Sequence, residues 1–512
     1  IEIPTQAQDH KILANILPGA DSFAVSEIAA QFNGLTVVVT NDTRSAVRLE
    51  KELAQLSPLN VTFFPDWETL PYDSFSPHQD IISARLSALF HLQQRKQGIF
   101  ILPIATLMQR VCPPSYLQHR VLLINKGDRF VIETLRLQLE KSGYRAVEQV
   151  LEHGEYAVRG ALLDLFPMGS AVPFRLDFFD DEIDSIRTFD VDTQRTLQEI
   201  DQINLLPAHE FPTDNQGIEF FRSQFRAVFG EIRRDPEHIY QQISKGTLAA
   251  GIEYWQPLFF EEMATLFDYF PANTLFITGE QNQTQGERFY ADAEQRFESR
   301  RVDPMRPLLS PDKLWLRIDD VNRQLKNYPA IALKTEKVRS SARQKNLAIT
   351  PLPPLTIQSQ QKEPLHQLRQ FIEHFKGNIL FIVETEGRRE TLLSLLAPLK
   401  LKPKQISSLA QATEEKLALM VSPLEHGFII EQDVPLAIIC EAELLGERVQ
   451  QRQRDKSRTV NPDTLIRNLA ELQIGQPVVH LDHGVGRYGG LVSLENGGIK
   501  AEYLLLNYAN DS

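Results

Sequence analysis

The segment Leu35–Thr40 reads Leu-Thr-Val-Val-Val-Thr. Six consecutive apolar or β-branched residues, with no polar residue on alternate positions, fit a strand that is covered on both faces. An amphipathic segment at 42–56 follows, opened by Asp42, a residue type that caps helix N-termini. The same order recurs, with a strand at 61–64, a helix at 81–97 and an apolar strand at 99–102. Strands alternating with helices predict a parallel sheet with helices on both sides. With 512 residues the chain is too long for one core, so an α/β multidomain architecture is expected.

The texture then changes. Short strands at 156–159, 162–166, Phe174–Phe179 and 183–189 are separated by Gly, Pro or Asp turns, which predicts an α+β insert. Helices dominate 220–333, and the polar stretch 334–361, with Pro351, Pro353 and Pro354, reads as a linker. Residues 365–446 return to α/β order, with strands at Asn378–Val383, 418–421 and Leu436–Cys440. The stretch 447–458 carries five basic residues and reads as a solvated linker or exposed helix, and residues 475–508 are Gly-punctuated and β-rich. The expected units are 1–123, 124–210, 211–345, 346–446, a basic linker at 447–471, and 472–512.

Charge and composition narrow the function. A net charge of −13 argues against a surface that coats nucleic acid, since phosphate binding relies on Lys and Arg. Protein partners are favoured instead. No apolar run approaches the length of a membrane span, and no basic start with a continuous apolar stretch opens the chain, so a cytoplasmic location is expected. Cys112 and Cys440 are far apart and flanked by apolar residues, which predicts buried free thiols and no metal site. His480 and His483 lie near one carboxylate, Asp482, too few ligands for zinc.

Where phosphate chemistry would be expected, its residues are missing. The run 16–24, followed by a helix and the Leu35–Thr40 strand, has the layout of a phosphate-binding loop. That loop needs glycines, a Lys for the phosphate charge and a hydroxyl for magnesium. Here it contains Gly19, Ala20, Asp21 and Ser22, with no Lys or Arg near the helix start in sequence and with Asp21 and Glu27 adding negative charge. A second segment, Gly251-Ile252-Glu253-Tyr254 and Leu266 to Pro271, then Leu275 to Thr278, resembles the excision-repair protein UvrB near its magnesium-binding Asp-Glu-Ser-His box. At the box itself stand Gly279, Glu280, Gln281 and Asn282, so the first carboxylate is a glycine. The resemblance covers roughly residues 8–282 and implies a degenerate helicase-type domain. No long aromatic hairpin of the kind by which UvrB clamps DNA fits between Trp67 and Leu86.

The insert is the sharpest part of this resemblance. Glu155-Tyr156-Ala157-Val158-Arg159-Gly160, running on to Pro167, and Phe174-Arg175-Leu176-Asp177-Phe178-Phe179 are similar to the UvrB domain that binds UvrA. The resemblance implies UvrA contacts at Arg159, Arg175 and Phe179. Arg offers a planar fork for carboxylates, and Arg beside an exposed aromatic is a common interface anchor. The plainer alternative makes both arginines surface residues paired with acids such as Asp177 or Asp181.

Over its whole length the chain resembles the Mfd family of transcription-repair coupling factors, most specifically at Cys440 to Arg448 and Val478 to Tyr488. The family implies a UvrB-like region with an α+β insert, a second small α/β domain and part of a Tudor-like barrel that grips the β subunit of RNA polymerase, with Leu494 on the gripping surface. It also implies a carboxy-terminal, ATP- and magnesium-dependent DNA-translocating motor outside this chain, and masking of the UvrA face by the carboxy-terminal end of the intact protein. The chain itself is expected to dock partners rather than catalyse, with no cofactor of its own. Both ends read as fragment boundaries. The alternative is a UvrB-like ATP-dependent helicase or damaged-DNA-binding protein in its own right.

Overall fold

A computed structural model describes residues 2–230, 232–357 and 363–445, together with the strands Pro477–His480, Gly484–Asn496 and Ile499–Asn507. The chain forms two compact units, Ile1–Glu447 and Arg448–Ser512.

The first unit is built on a seven-stranded sheet in the order Gln344–Asn346, His10–Ala14, Ala330–Leu333, Thr274–Gly279, Leu35–Thr40, Gly98–Pro103 and Val61–Phe63. Every ladder in it is parallel. The double cover expected for Leu35–Thr40 is present, for all six residues are buried. Val37, Val39, Phe100 and Leu102 pack into one core, and Val38, Ile99, Ile101 and Ile277 into another. Successive side chains of a strand point to opposite faces, so an unbroken apolar run fills both layers. The helix Thr43–Leu56 covers one face and is capped by Asp42, whose side chain accepts from the Ser45 N–H at 2.7 Å.

The insert leaves and re-enters this unit through one antiparallel pair, Leu122–Asn125 with Gln202–Leu205. Between them lies a six-stranded sheet in the order Thr196–Ile200, Glu182–Phe189, Phe174–Phe179, Leu162–Leu165, Glu155–Arg159 and Arg145–Ala146. A buried ion pair fastens this junction. Arg85, from the helix Gln79–Gln94, donates to Glu210 at 2.5 and 3.3 Å and to the Pro65 carbonyl at 2.7 Å, with its guanidinium over the Phe64 ring.

The stretch 334–361 departs from the expected linker. Gln344–Asn346 forms the edge strand beside His10–Ala14, and Ile349–Thr350 pairs antiparallel with Phe428–Ile430 in a second sheet. That sheet has the order Ile349–Thr350, Phe428–Ile430, Leu436–Cys440, Asn378–Val383, Leu417–Val421 and Lys404–Gln405. Edge strands can be short and polar because one side faces solvent, so composition alone reads them as loop. Leu347, between the two edge strands, packs against both neighbouring cores.

Both cysteines are free and buried, and burial pushes the Cys112 thiol up to about 12. Burial also acts on Glu253, which accepts from the Ser76 hydroxyl at 2.8 Å and is pushed up to about 7. A carboxyl raised in the folded state favours the protonated form. Its contribution to stability is present below the ordinary carboxylate range and is lost as pH rises through about 7. Glu253→Gln is therefore expected to flatten the fall in unfolding midpoint between pH 5 and 8 and to exceed the wild type at pH 8. Parallel midpoint-versus-pH curves for the two proteins would count against it.

No described helix is long and apolar enough to cross a membrane. The second unit contributes an antiparallel sheet of Pro477–His480, Gly484–Asn496 and Ile499–Asn507, in which Leu494 lies opposite Ala501. The basic stretch 447–471 and His483 lie outside the described residues.

Candidate interaction face and the altered phosphate loop

Pleating puts Arg159, Arg175 and Phe179 on one face of the insert sheet. Arg159 lies opposite Leu162, Leu162 opposite Asp177, and Arg175 and Phe179 stand two residues either side of Asp177. Alternate residues share a face, so the three project together while Val158, Leu163, Leu176 and Ile186 line the other side. Two tight turns sit at the same end of the sheet. Gly160 and Asp180 both hold positive φ, as turns with left-handed residues between antiparallel strands require. Arg159 and Phe179 are the last strand residues before these turns. Phe179 is 80% exposed, an aromatic ring held out on a rigid hairpin.

The arginines are paired, with an acid that the sequence reading did not single out. Asp164, directly opposite Arg175, accepts from its Nε at 2.7 Å and from Nη2 at 2.9 Å. Arg159 Nη2 lies 3.6 Å from the same carboxylate. Asp177 and Asp181 are not the partners: Asp177 is two pairs further along the ladder, opposite Leu162, and Asp181 belongs to the turn. Arg175 also stacks over Phe189 at 5.1 Å, and its pairing with Asp164 raises its pKa further. Two guanidinium groups gather around one buried carboxylate beside an exposed ring, a combination that recurs at protein interfaces.

The loop at Gly19, whose layout in sequence resembles a phosphate-binding loop, is packed against protein. Gly19 has φ +80° and is the N-cap of the helix Ala20–Gln31, where a phosphate would sit. The sequence places no basic residue near that helix start, but the fold brings Arg48 from the helix Thr43–Leu56. Its guanidinium pairs with both Asp21 oxygens and with Glu52. The positive charge available for a phosphate is thereby spent on two carboxylates. Burial pushes Glu52 up to about 7 despite Arg48.

The second sheet then closes over the loop. A Cβ on Gly19 would lie 2.5 Å from the His426 carbonyl oxygen. Ala20 is part of the core with Ile349, Leu380 and Phe428, and the Phe23 and Phe428 rings are 6.4 Å apart. Asn15 Nδ2 donates to the Leu347 and Ile349 carbonyls, both at 2.9 Å. These residues do not fit a nucleotide phosphate.

Gly279 ends the strand Thr274–Gly279 and Glu280 follows it in a turn, at the carboxyl edge of the parallel sheet. Glu280 is exposed and accepts from the Thr335 hydroxyl at 3.1 Å, while Asn282 Nδ2 reaches the Val39 carbonyl. Among the described residues no group of three or more His, Cys, Asp or Glu is placed to hold a metal ion. His209 is buried, which lowers its pKa to about 4, and its neighbour Glu210 is committed to Arg85.

Sequence comparison accords with this division. Residues 122–211 match the family model of the UvrB interaction domain, 371–444 that of the MFD D3 domain, and 472–512 that of the CarD-like/TRCF RID domain. The transcription-repair-coupling factor of Haemophilus influenzae is 78% identical over 511 residues, which cover 100% of this chain and 45% of that protein. The Escherichia coli factor is 57% identical over the same length and that of Bacillus subtilis 26% over 521 residues. The chain spans less than half the length of these relatives. It belongs to the transcription-repair-coupling factor family.

Proposed function

We propose that this chain is a docking module that brings the excision-repair protein UvrA to RNA polymerase. The observation that carries the reading is the polar face of the insert: Arg159, Arg175 and an 80% exposed Phe179 project together from the segment that matches the UvrB interaction domain. An aromatic anchor with arginines around it concentrates binding energy in few residues. The second unit, matched by the RID model, supplies the contact to the polymerase β subunit, with Leu494 on that surface and the strands forming part of a Tudor-like barrel. Contacts to DNA, ATP and magnesium belong to a motor elsewhere in the intact protein, which works in the cytoplasm and masks the UvrA face until it is needed. Within this chain the work is recognition rather than hydrolysis, supported by the Arg48–Asp21 pair and the His426 carbonyl over Gly19.

The test is calorimetric titration of the whole chain with purified UvrA. Arg159→Ala is expected to weaken binding by about tenfold or more, equivalent to over about 1.4 kcal/mol. Phe179→Ala is expected to do the same without changing the response to salt. Unchanged affinity in both variants would remove this face from the reading.

A further inference from the structure

We propose that Asn33-Gly34 is a site of spontaneous backbone isomerisation, whose isoaspartyl product makes this chain a substrate for a methyltransferase that esterifies isoaspartyl carboxylates. The pair joins the helix Ala20–Gln31, capped by Phe32, to the buried strand Leu35–Thr40. Asn33 is exposed. Among the described residues, neither its side-chain amide nor the Gly34 N–H has a hydrogen-bond partner. Both reacting groups are therefore open. Other asparagines are tied down: Asn15 and Asn282 spend Nδ2 on backbone carbonyls, and Ile16 and Gln283 follow them.

A side chain on the residue after an asparagine crowds the attacking nitrogen, and glycine has none. The fold itself demands that glycine. A Cβ on Gly34 would lie 2.5 Å from the Phe32 ring and 2.6 Å from the Asn273 carbonyl oxygen. Asn273 also favours the reaction, because its Nδ2 donates to the Asn33 carbonyl at 2.5 Å. The nucleophile is the deprotonated Gly34 amide, which shares its charge with that oxygen, and a donor placed there stabilises the charge as it develops. The next N–H, of Leu35, is held by the Asn273 carbonyl at 3.1 Å, so the chain is anchored on both sides of the reacting nitrogen.

The Gly34 nitrogen attacks Asn33 Cγ. The N–Cγ bond forms, the Cγ–Nδ2 bond breaks, and ammonia leaves with the proton that Gly34 gave up. Water then opens the cyclic imide. Attack at Cγ gives aspartate, whereas attack at the backbone carbonyl breaks its bond to Gly34 and leaves the chain running through Cγ, with a free α-carboxylate. Nothing is oxidised or reduced. The second product lengthens the main chain by a carbon atom immediately before Leu35, which is fully buried and paired with Thr274 and Gly98. That strand lies inside the sheet, so the added length strains both ladders.

The test ages the whole chain at neutral and mildly alkaline pH. Peptide mapping by mass spectrometry locates the change, and methyl transfer from labelled S-adenosylmethionine by a purified isoaspartyl methyltransferase identifies the product. The reading is made peptide by peptide, because Asn496-Gly497 is a second such pair and its glycine lies outside the described residues. Isoaspartate should accumulate at position 33 in excess of aspartate, and faster at the higher pH. Asn60, exposed but followed by Val61, should stay intact in the same sample. Asn33→Gln should abolish methyl acceptance in this peptide and leave the unfolding midpoint of fresh protein unchanged. An Asn33 as durable as Asn60 would overturn the proposal. So would a folded chain reacting more than about tenfold slower than a free peptide of the same local sequence, since the fold would then be closing the link.

Discussion

Replacing Arg85 by alanine is expected to cost this unit about 3–5 kcal/mol, the penalty for leaving one member of a buried ion pair alone. Arg85 is completely buried, and Glu210 is nearly so. Without the guanidinium, the Glu210 carboxylate and the Pro65 carbonyl lose their donors together, and the cavity opens against Phe64 and Trp67. The loss reaches beyond one helix, because Gln256 Nε2 donates to the Glu210 carbonyl and so links the pair to the region after the insert. Thermal unfolding followed by circular dichroism should show a clearly lowered transition. Arg85→Met combined with Glu210→Leu should recover most of it, since removing both charges leaves no uncompensated group. A single variant that unfolds like the wild type would show that the pair does not hold the junction.

Gly19→Ala is the second large effect, on the order of 2–4 kcal/mol, from two causes that add. A non-glycine residue in the left-handed region is itself strained by about 1–2 kcal/mol. The new Cβ would also meet the His426 carbonyl oxygen at 2.5 Å, a backbone atom that cannot swing aside as a side-chain tip can. The expected outcome is loosening of the second sheet from the first, seen as faster hydrogen exchange over Phe428–Ile430 and Leu436–Cys440. Magnesium-ATP should raise the unfolding temperature of neither the wild type nor the variant, because Arg48 is held by Asp21 and Glu52. A rise with ATP would contradict the reading of the loop as protein-filled.

Local pattern was a good guide wherever a strand was either apolar throughout or cleanly alternating. Leu35–Thr40, Phe174–Phe179, Asn378–Val383 and Leu436–Cys440 have the bounds read from sequence, and Asp42 caps its helix. In each case turn residues or a cap lie at the ends and the apolar period is unbroken. The edge strands Gln344–Asn346 and Ile349–Thr350 were illegible because three and two residues are too few to show a period. Ion pairs were the other blind spot. Arg85 and Glu210 are 125 positions apart, and Arg48 and Asp21 are 27 apart. Asp164 was overlooked beside Asp177 and Asp181 because pairing across a sheet follows register, not proximity in sequence. The exposed ring of Phe179 and the two arginines were readable as a group because all three lie in strands whose period is clear.

Only Leu347 and Ala348 separate the edge strand of the first sheet from that of the second. Two extended residues span about 7 Å. The two sheets are therefore on a leash too short for either to swing aside as an independent body while both edges stay paired. A protease cut or an engineered insertion at this point would do more than lengthen a tether: it would free the Asn15 side chain from the Leu347 and Ile349 carbonyls and release the cover over the loop at Gly19. Circular permutation that opens the chain here should fail, while opening it at the Gly160 turn, where a Cβ would meet no atom within 4 Å, should leave this seam intact.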